Sequence, residues 1–158
     1  MRIQIAALLA CLIAPLAEAE PLVKVINFTA DWCPNCRVID PRIAEAVERF
    51  EAGSVGYVEL DMTPLRGASP AERDQTVAAA ILLAGGHKAA YLWDWYGGIT
   101  GLSVIVSADS GEAISCIMRP MEVREIEFRL MEAQILTARR EVGERMPDGP
   151  DCPAPDRL

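Results

Sequence analysis

The chain has 158 residues, enough for one domain with a real core, and a formal net charge of −8. No basic cluster interrupts that acidity, which argues against nucleic acid or an anionic membrane as a partner. With five cysteines, one histidine and a single C-x-x-C, the chain has too few ligands for the usual structural zinc site.

The chain opens with Arg2, an apolar run from Ile3 to Leu16 and the small-x-small site Ala17-Glu18-Ala19. This reads as a secretory signal over residues 1–19, with the mature chain starting near Glu20. The run is too short to span a bilayer as a helix, so no membrane span is expected after cleavage. Leu8-Leu9-Ala10-Cys11 also resembles a lipobox, and the alternative address is a lipid anchor on Cys11. Export to the periplasm or beyond places Cys33, Cys36, Cys116 and Cys152 in an oxidising compartment. Two readings of Cys116 and Cys152 stand open: a second disulfide, or a buried strand residue and a loose tail thiol.

Beyond the signal, 22–29 is rich in Val, Ile and Phe and predicts a buried strand. An amphipathic run predicts a helix from about Cys33 to Phe50, kinked at Pro41. A second strand is expected over 55–62. Ser69-Pro70-Ala71-Glu72 carries the signature of a capped helix start, and Gly85-Gly86 that of its end. Residues 102–107 and 112–118 predict a hairpin, and Pro120 opens a last helix to about Val142. Strand, helix, strand calls for a parallel pair, to which the hairpin adds antiparallel strands. From Gly143 onward the composition is that of a flexible tail, 143–158.

The chemistry lies in Phe28-Thr29-Ala30-Asp31-Trp32-Cys33-Pro34-Asn35-Cys36-Arg37. It places a dithiol at the mouth of a helix, where roughly half a positive charge and unpaired N–H groups favour a thiolate. Thiolates attack disulfides, so the segment implies thiol–disulfide exchange. Cys33, at the exposed helix start, is expected to attack, and Cys36, one turn inside, to resolve. Arg37 occupies the position where a c-type haem site needs histidine. A purely structural disulfide across so small a loop would stabilise little.

These residues resemble the thioredoxin family: Asn27 to Cys36 match its active-site run, and Pro41 follows the second cysteine by five positions, as in the family. The Ala-Asp-Trp-Cys opening is most similar to the periplasmic C-terminal domain of DsbD-type electron carriers. The resemblance covers about 22–62 and 98–137 and implies an α/β thioredoxin-like mixed sheet flanked by helices, over 20–142. It implies catalysis by Cys33 and Cys36 without cofactor or metal, on protein disulfides. Trp32, Pro34 and Asn35 would shape the contact face.

Several positions depart from the family. Its buried acid falls on Asn27 and its buried lysine on Tyr57. Losing both together avoids an unpaired buried charge; simple drift to a neutral pair explains it equally well. Its cis-proline falls on Ser103, in the loop Gly101-Leu102-Ser103 expected to face the dithiol. A non-proline cis bond costs about 2.5–4 kcal/mol, so a trans peptide is expected there. Arg119 stands where relatives have glycine, either near Cys33 or as a solvated helix-start residue. An insertion over about 64–98 precedes the loop and carries Tyr91, Trp93, Trp95 and Tyr96. The first three alternate, so an extended segment would show them on one face. They form either the core of the insertion or a wall that selects a partner protein.

The reading is an exported thiol–disulfide oxidoreductase that reduces specific periplasmic partners and is itself fed by a membrane electron carrier. One alternative is a carrier of a soft ion such as Cu(I), with Met118 or Met121 joining the thiols. The other is a partner-binding module with vestigial redox activity.

Overall fold

The computed structural model describes residues 20–155, so the expected signal, Cys11 and the last three residues lie outside the described residues. Four strands form one sheet in the order β2-β1-β3-β4: β1 (Val23–Thr29), β2 (Val55–Asp61), β3 (Leu102–Ser107) and β4 (Ala113–Met118). β1 runs parallel to β2 and antiparallel to β3, and β3–β4 is the expected hairpin. The parallel pair needs a crossover, which α1 (Cys36–Glu48) supplies. Three further helices follow: α2 (Pro70–Gly86), α3 (Leu92–Tyr96) and α4 (Val123–Arg139). This is the expected mixed sheet with helices on both faces.

The two faces have separate cores. Ile39 and Ile43 of α1 and Ile126 and Leu130 of α4 pack on Val23, Val25 and Ile105. On the other side, Ala80, Ala84, Leu92 and Tyr96 cover Ile26, Phe28, Val104 and Val106. Fully burying each Ile, Leu or Phe is worth about 1.5–3 kcal/mol, and β3, covered on both faces, has every residue buried.

Three local differences from the sequence reading bear on the site. Helix α1 starts at Cys36, not Cys33, with Asn35 as N-cap. The aromatic run, which the sequence leaves unassigned, is helical over Leu92–Tyr96, so the alternation of Tyr91, Trp93 and Trp95 does not put them on one strand face. Residues 143–155, read as a tail, make specific contacts. Asp151 bridges to Ser115 beside β4, and its backbone exchanges hydrogen bonds with Ile114 and Cys116. Cys152 is disulfide-bonded to Cys116, and the Tyr96 hydroxyl donates to the Pro153 carbonyl at 2.8 Å. Of the two readings of Cys116 and Cys152, the disulfide is the one formed.

Candidate active site

β1 delivers the chain to a tight turn at its C-terminal end, and α1 starts immediately beyond. Within that turn the Cys33 N–H donates to the Ala30 carbonyl at 3.1 Å. Cys33 and Cys36 are disulfide-bonded with Cα atoms 5.3 Å apart. The backbone N–H of Cys36 donates to Cys33 Sγ at 3.1 Å. An orphan N–H of the first helical turn is thus spent on the outer sulfur, and it would stabilise negative charge there.

Cys33 is not at an exposed position as expected: it is 3% exposed, against 2% for Cys36. The difference between the sulfurs lies in their hydrogen bonding rather than in their burial. Gly101 contributes to the cover. Its φ is +82°, and a Cβ there would lie 2.7 Å from Asn35 Cβ and 3.4 Å from Cys33 Sγ. Only glycine allows this backbone both the conformation and the approach. The Gly101 N–H donates to the Phe28 carbonyl at 2.9 Å, which ties the loop to the end of β1.

The loop expected to face the dithiol does so through Gly101, while Leu102 and Ser103 already belong to β3. Among the described residues the only cis peptide is Arg119–Pro120, so the bond before Ser103 is trans. Ser103 is fully buried and pairs with Asn27 across the sheet, its hydroxyl donating to Asn27 Oδ1 at 2.7 Å.

Asn27 and Tyr57 do meet, Asn27 Nδ2 donating to the Tyr57 hydroxyl oxygen at 2.8 Å. Burial drives the Tyr57 phenol pKa upward, reinforced by the nearby Glu59 carboxylate. The site is not charge-free, however. Asn27 Nδ2 also donates to Asp40 Oδ1 at 3.2 Å, and the Thr29 hydroxyl donates to Asp40 Oδ2 at 2.5 Å. A carboxylate therefore reaches β1 from helix α1, four residues after Cys36. The sequence reading missed Asp40 and Thr29. A signal was present: Asp40 lies four residues after Cys36 and three before Ile43, both buried, on the inward flank of an amphipathic helix.

Trp32 is half-buried, and its indole N–H donates to the Thr63 carbonyl at 3.1 Å. Pro34 and Asn35 are exposed on the turn. Arg119 Nη1 donates to Asn35 Oδ1 at 3.3 Å, so this cation stands over the dithiol turn. A hollow of about 170 Å³ beside it is lined by Asn35, Ile99, Gly101, Leu102, Met118 and Arg119. Met121 instead packs into the α1–α4 core, away from Met118.

The insertion aromatics gather against the core that contains Cys33 and Cys36. Trp93 lies 6.5 Å from Phe28, and Tyr91 and Trp95 meet edge to face at 4.9 Å. Tyr96 is 1% exposed, whereas Tyr91, Trp93 and Trp95 are half-buried. The Tyr91 hydroxyl donates to the Gly111 carbonyl, and burial pushes its pKa up to about 12.

A parallel strand–helix–strand unit, an antiparallel hairpin, and a C-x-x-C pair between β1 and α1 define a thioredoxin-like fold. The Thioredoxin family model matches residues 15–84. Thioredoxin H-type from Fagopyrum esculentum is 30% identical over 64 residues, which are 40% of this chain and 53% of that one. Thioredoxin H5 from Arabidopsis thaliana is 30% identical over 70 residues, 44% of this chain and 57% of that one. The chain thus spans little more than half the length of these curated relatives. Among solved structures it is similar to a thiol:disulfide interchange protein of the thioredoxin family from Chlorobium tepidum TLS. That match has 19% identity and a TM-score of 0.47, covering 71% of this chain and 79% of that one. A thioredoxin-related protein from Neisseria meningitidis serogroup B is 19% identical with a TM-score of 0.45, covering 80% of this chain and 93% of that one.

Proposed function

We propose that the chain is an exported thiol–disulfide oxidoreductase that reduces disulfides of particular periplasmic proteins through Cys33 and Cys36. The observation that carries this reading is the Cys36 N–H aimed at Cys33 Sγ at 3.1 Å, at the start of α1. In the reduced protein that donor would favour a Cys33 thiolate. The Cys33 thiolate attacks one sulfur of a partner disulfide and the partner's other sulfur leaves as a thiolate. Cys36 then loses its proton and attacks Cys33 Sγ, which releases the second partner sulfur and forms the Cys33–Cys36 bond. Two electrons and two protons pass to the partner, and a donor dithiol, in our reading that of a membrane electron carrier, restores the pair.

Restriction to particular partners is supported by how little of Cys33 is open to solvent and by Gly101 and Arg119 around it. Trp93 and Trp95, half-buried beside the same core, are suited to contribute to partner choice.

The direct test is reduction of insulin by the protein with dithiothreitol as electron source. We expect turnover that is lost in Cys33→Ser. In Cys36→Ser, covalent partner complexes should accumulate, and mass spectrometry would identify them. Equal rates for wild type and Cys33→Ser would overturn the assignment.

A further inference from the structure

We propose that the hollow on the Trp32 side of the dithiol is a docking site for an acidic, apolar-rich segment of the partner polypeptide. This rests on the reading that Cys33 reacts with protein disulfides. The hollow measures about 420 Å³ and is lined by Trp32, Leu65, Arg66 and Arg73. Its volume suits one or two side chains of a peptide.

The hollow is built by the insertion and fastened to the dithiol turn. A 3-10 turn over Thr63–Leu65 follows β2. The Asp31 N–H donates to Thr63 Oγ1 at 2.9 Å, and the Trp32 indole donates to the Thr63 carbonyl. Those two bonds hold the Trp32 ring and the turn together, so the floor of the hollow starts at the residue next to Cys33. Arg66 leaves the end of the turn. Arg73 stands in the first turn of α2, whose start is held by the capping box of Ser69 and Glu72.

Charge decides the occupant. Arg42, Arg49, Arg129 and Arg145 are each paired with a carboxylate, but among the described residues neither Arg66 nor Arg73 forms a salt bridge. Both are exposed, and no carboxylate lines the hollow. The nearby carboxylates Asp31, Asp61 and Glu72 keep their charge but lie outside the lining, Asp61 turned to the Thr63 N–H and Glu72 to Ser69. Two unpaired guanidinium groups over an indole and a leucine side chain complement a segment in which carboxylates alternate with apolar groups. Arg119, also without a salt bridge among the described residues, extends the cationic rim to the other side of the pair.

This local field runs against the net charge of −8. Screening confines charge effects to roughly 8 Å at physiological ionic strength, so at long range a large polyanion meets an acidic body. A short acidic segment that enters the hollow meets Arg66 and Arg73 on its lining and no carboxylate. The arrangement would orient an incoming disulfide over Cys33, and rim charges of this kind act mainly on association rate and salt dependence.

The test uses two short fluorescein-labelled peptides without cysteine, one of alternating Glu and Leu and one of alternating Lys and Leu. Binding to the oxidised protein is followed by fluorescence anisotropy at low and physiological salt. The Glu peptide should bind at least about tenfold more tightly than the Lys peptide, with the preference shrinking as salt rises. Arg66→Glu/Arg73→Glu should lose that preference, and Arg66→Ala alone should reduce it. Arg139→Glu/Arg140→Glu, an equal charge change at the end of α4, should retain it. Equal binding of the two peptides, no binding of either, or the same behaviour in both charge-reversed proteins would overturn the proposal. Insulin reduction by the same preparation reports separately on the redox reading. Selective binding without turnover would remove that reading and leave the docking site.

Discussion

Asn27 of the central strand and Asp40 of the dithiol helix are joined side chain to side chain, Asn27 Nδ2 to Asp40 Oδ1, at 3.2 Å. Asn27 spends its other polar contacts on Tyr57 and Ser103, so one amide links β1, β2, β3 and α1 behind the active-site pair. Asn27→Asp should replace a donor with a second acceptor facing Asp40. Two carboxylates at that separation cannot both ionise easily, so one folded-state pKa rises above its unfolded value of about 3.9. A raised carboxylate destabilises the fold once pH exceeds the unfolded pKa, and fully so above the folded one. Thermal melts should therefore show a larger deficit for Asn27→Asp at pH 8 than at pH 5. A deficit independent of pH would mean that the two carboxylates do not interact.

Of the two sulfurs, Cys33 receives the helix-start N–H, so its thiolate should form first. Limited alkylation of the reduced protein near neutral pH, followed by peptide mapping, should find the label on Cys33. Preferential modification of Cys36 would show that the N–H donor does not govern reactivity.

A Cβ on Gly101 would lie 3.4 Å from Cys33 Sγ. Gly101→Ala should cost about 1 kcal/mol or more in stability from the φ of +82° alone, with the crowding against Asn35 added. Insulin reduction should fall at least about tenfold, because a 1 Å displacement at a reacting centre costs up to about two orders of magnitude. Wild-type turnover in a stably folded Gly101→Ala protein would show that the loop does not position the reaction.

The Cys116–Cys152 bond joins residues 36 apart and fastens the segment after α4 to β4. A loop of that length predicts a loss of about 4 kcal/mol on chain-entropy grounds when both cysteines become Ala. Urea melts of oxidised wild type and the double variant measure it. Under full reduction the two proteins should converge, and a persisting gap would assign the loss to packing of Cys116 in the core.

Arg145 is buried and holds Asp109 through two hydrogen bonds, which with lesser help from other groups puts the Asp109 pKa at about 2. A lowered folded pKa contributes stability above the unfolded value, near 3.8, that disappears as pH falls through about 2. Asp109 is half exposed, so solvent screening keeps this contribution small. Arg145→Ala should cost about 1–3 kcal/mol at pH 7, chiefly from buried contacts, and should flatten the acid limb of the stability profile between pH 4 and 2. An unchanged acid limb would dismiss the pair.

What the sequence determined by itself is local. β1, β2 and the β3–β4 hairpin follow from short apolar runs bounded by turn residues, and α2 begins where Ser69 and Glu72 form a capping box. The dithiol's place between a buried strand and an amphipathic helix was legible in the same way, because every residue it needs lies within one turn. The tertiary structure decided whatever depends on partners distant in the chain. Gly101, 68 residues away, approaches Cys33, and the core around Phe28 packs on it, so a cysteine that reads as exposed is buried. Asp40 supplies a carboxylate beside Asn27 only because α1, as the crossover, packs back on β1. Cys116 and Cys152 became a disulfide rather than two thiols because the chain after α4 returns along β4. Tyr91, Trp93 and Trp95, whose alternation suits a strand, lie in and beside the helical turn Leu92–Tyr96, packed against the core around Phe28. Periodicity reports which face of an element is apolar; it carries no information on which distant residue that face will meet.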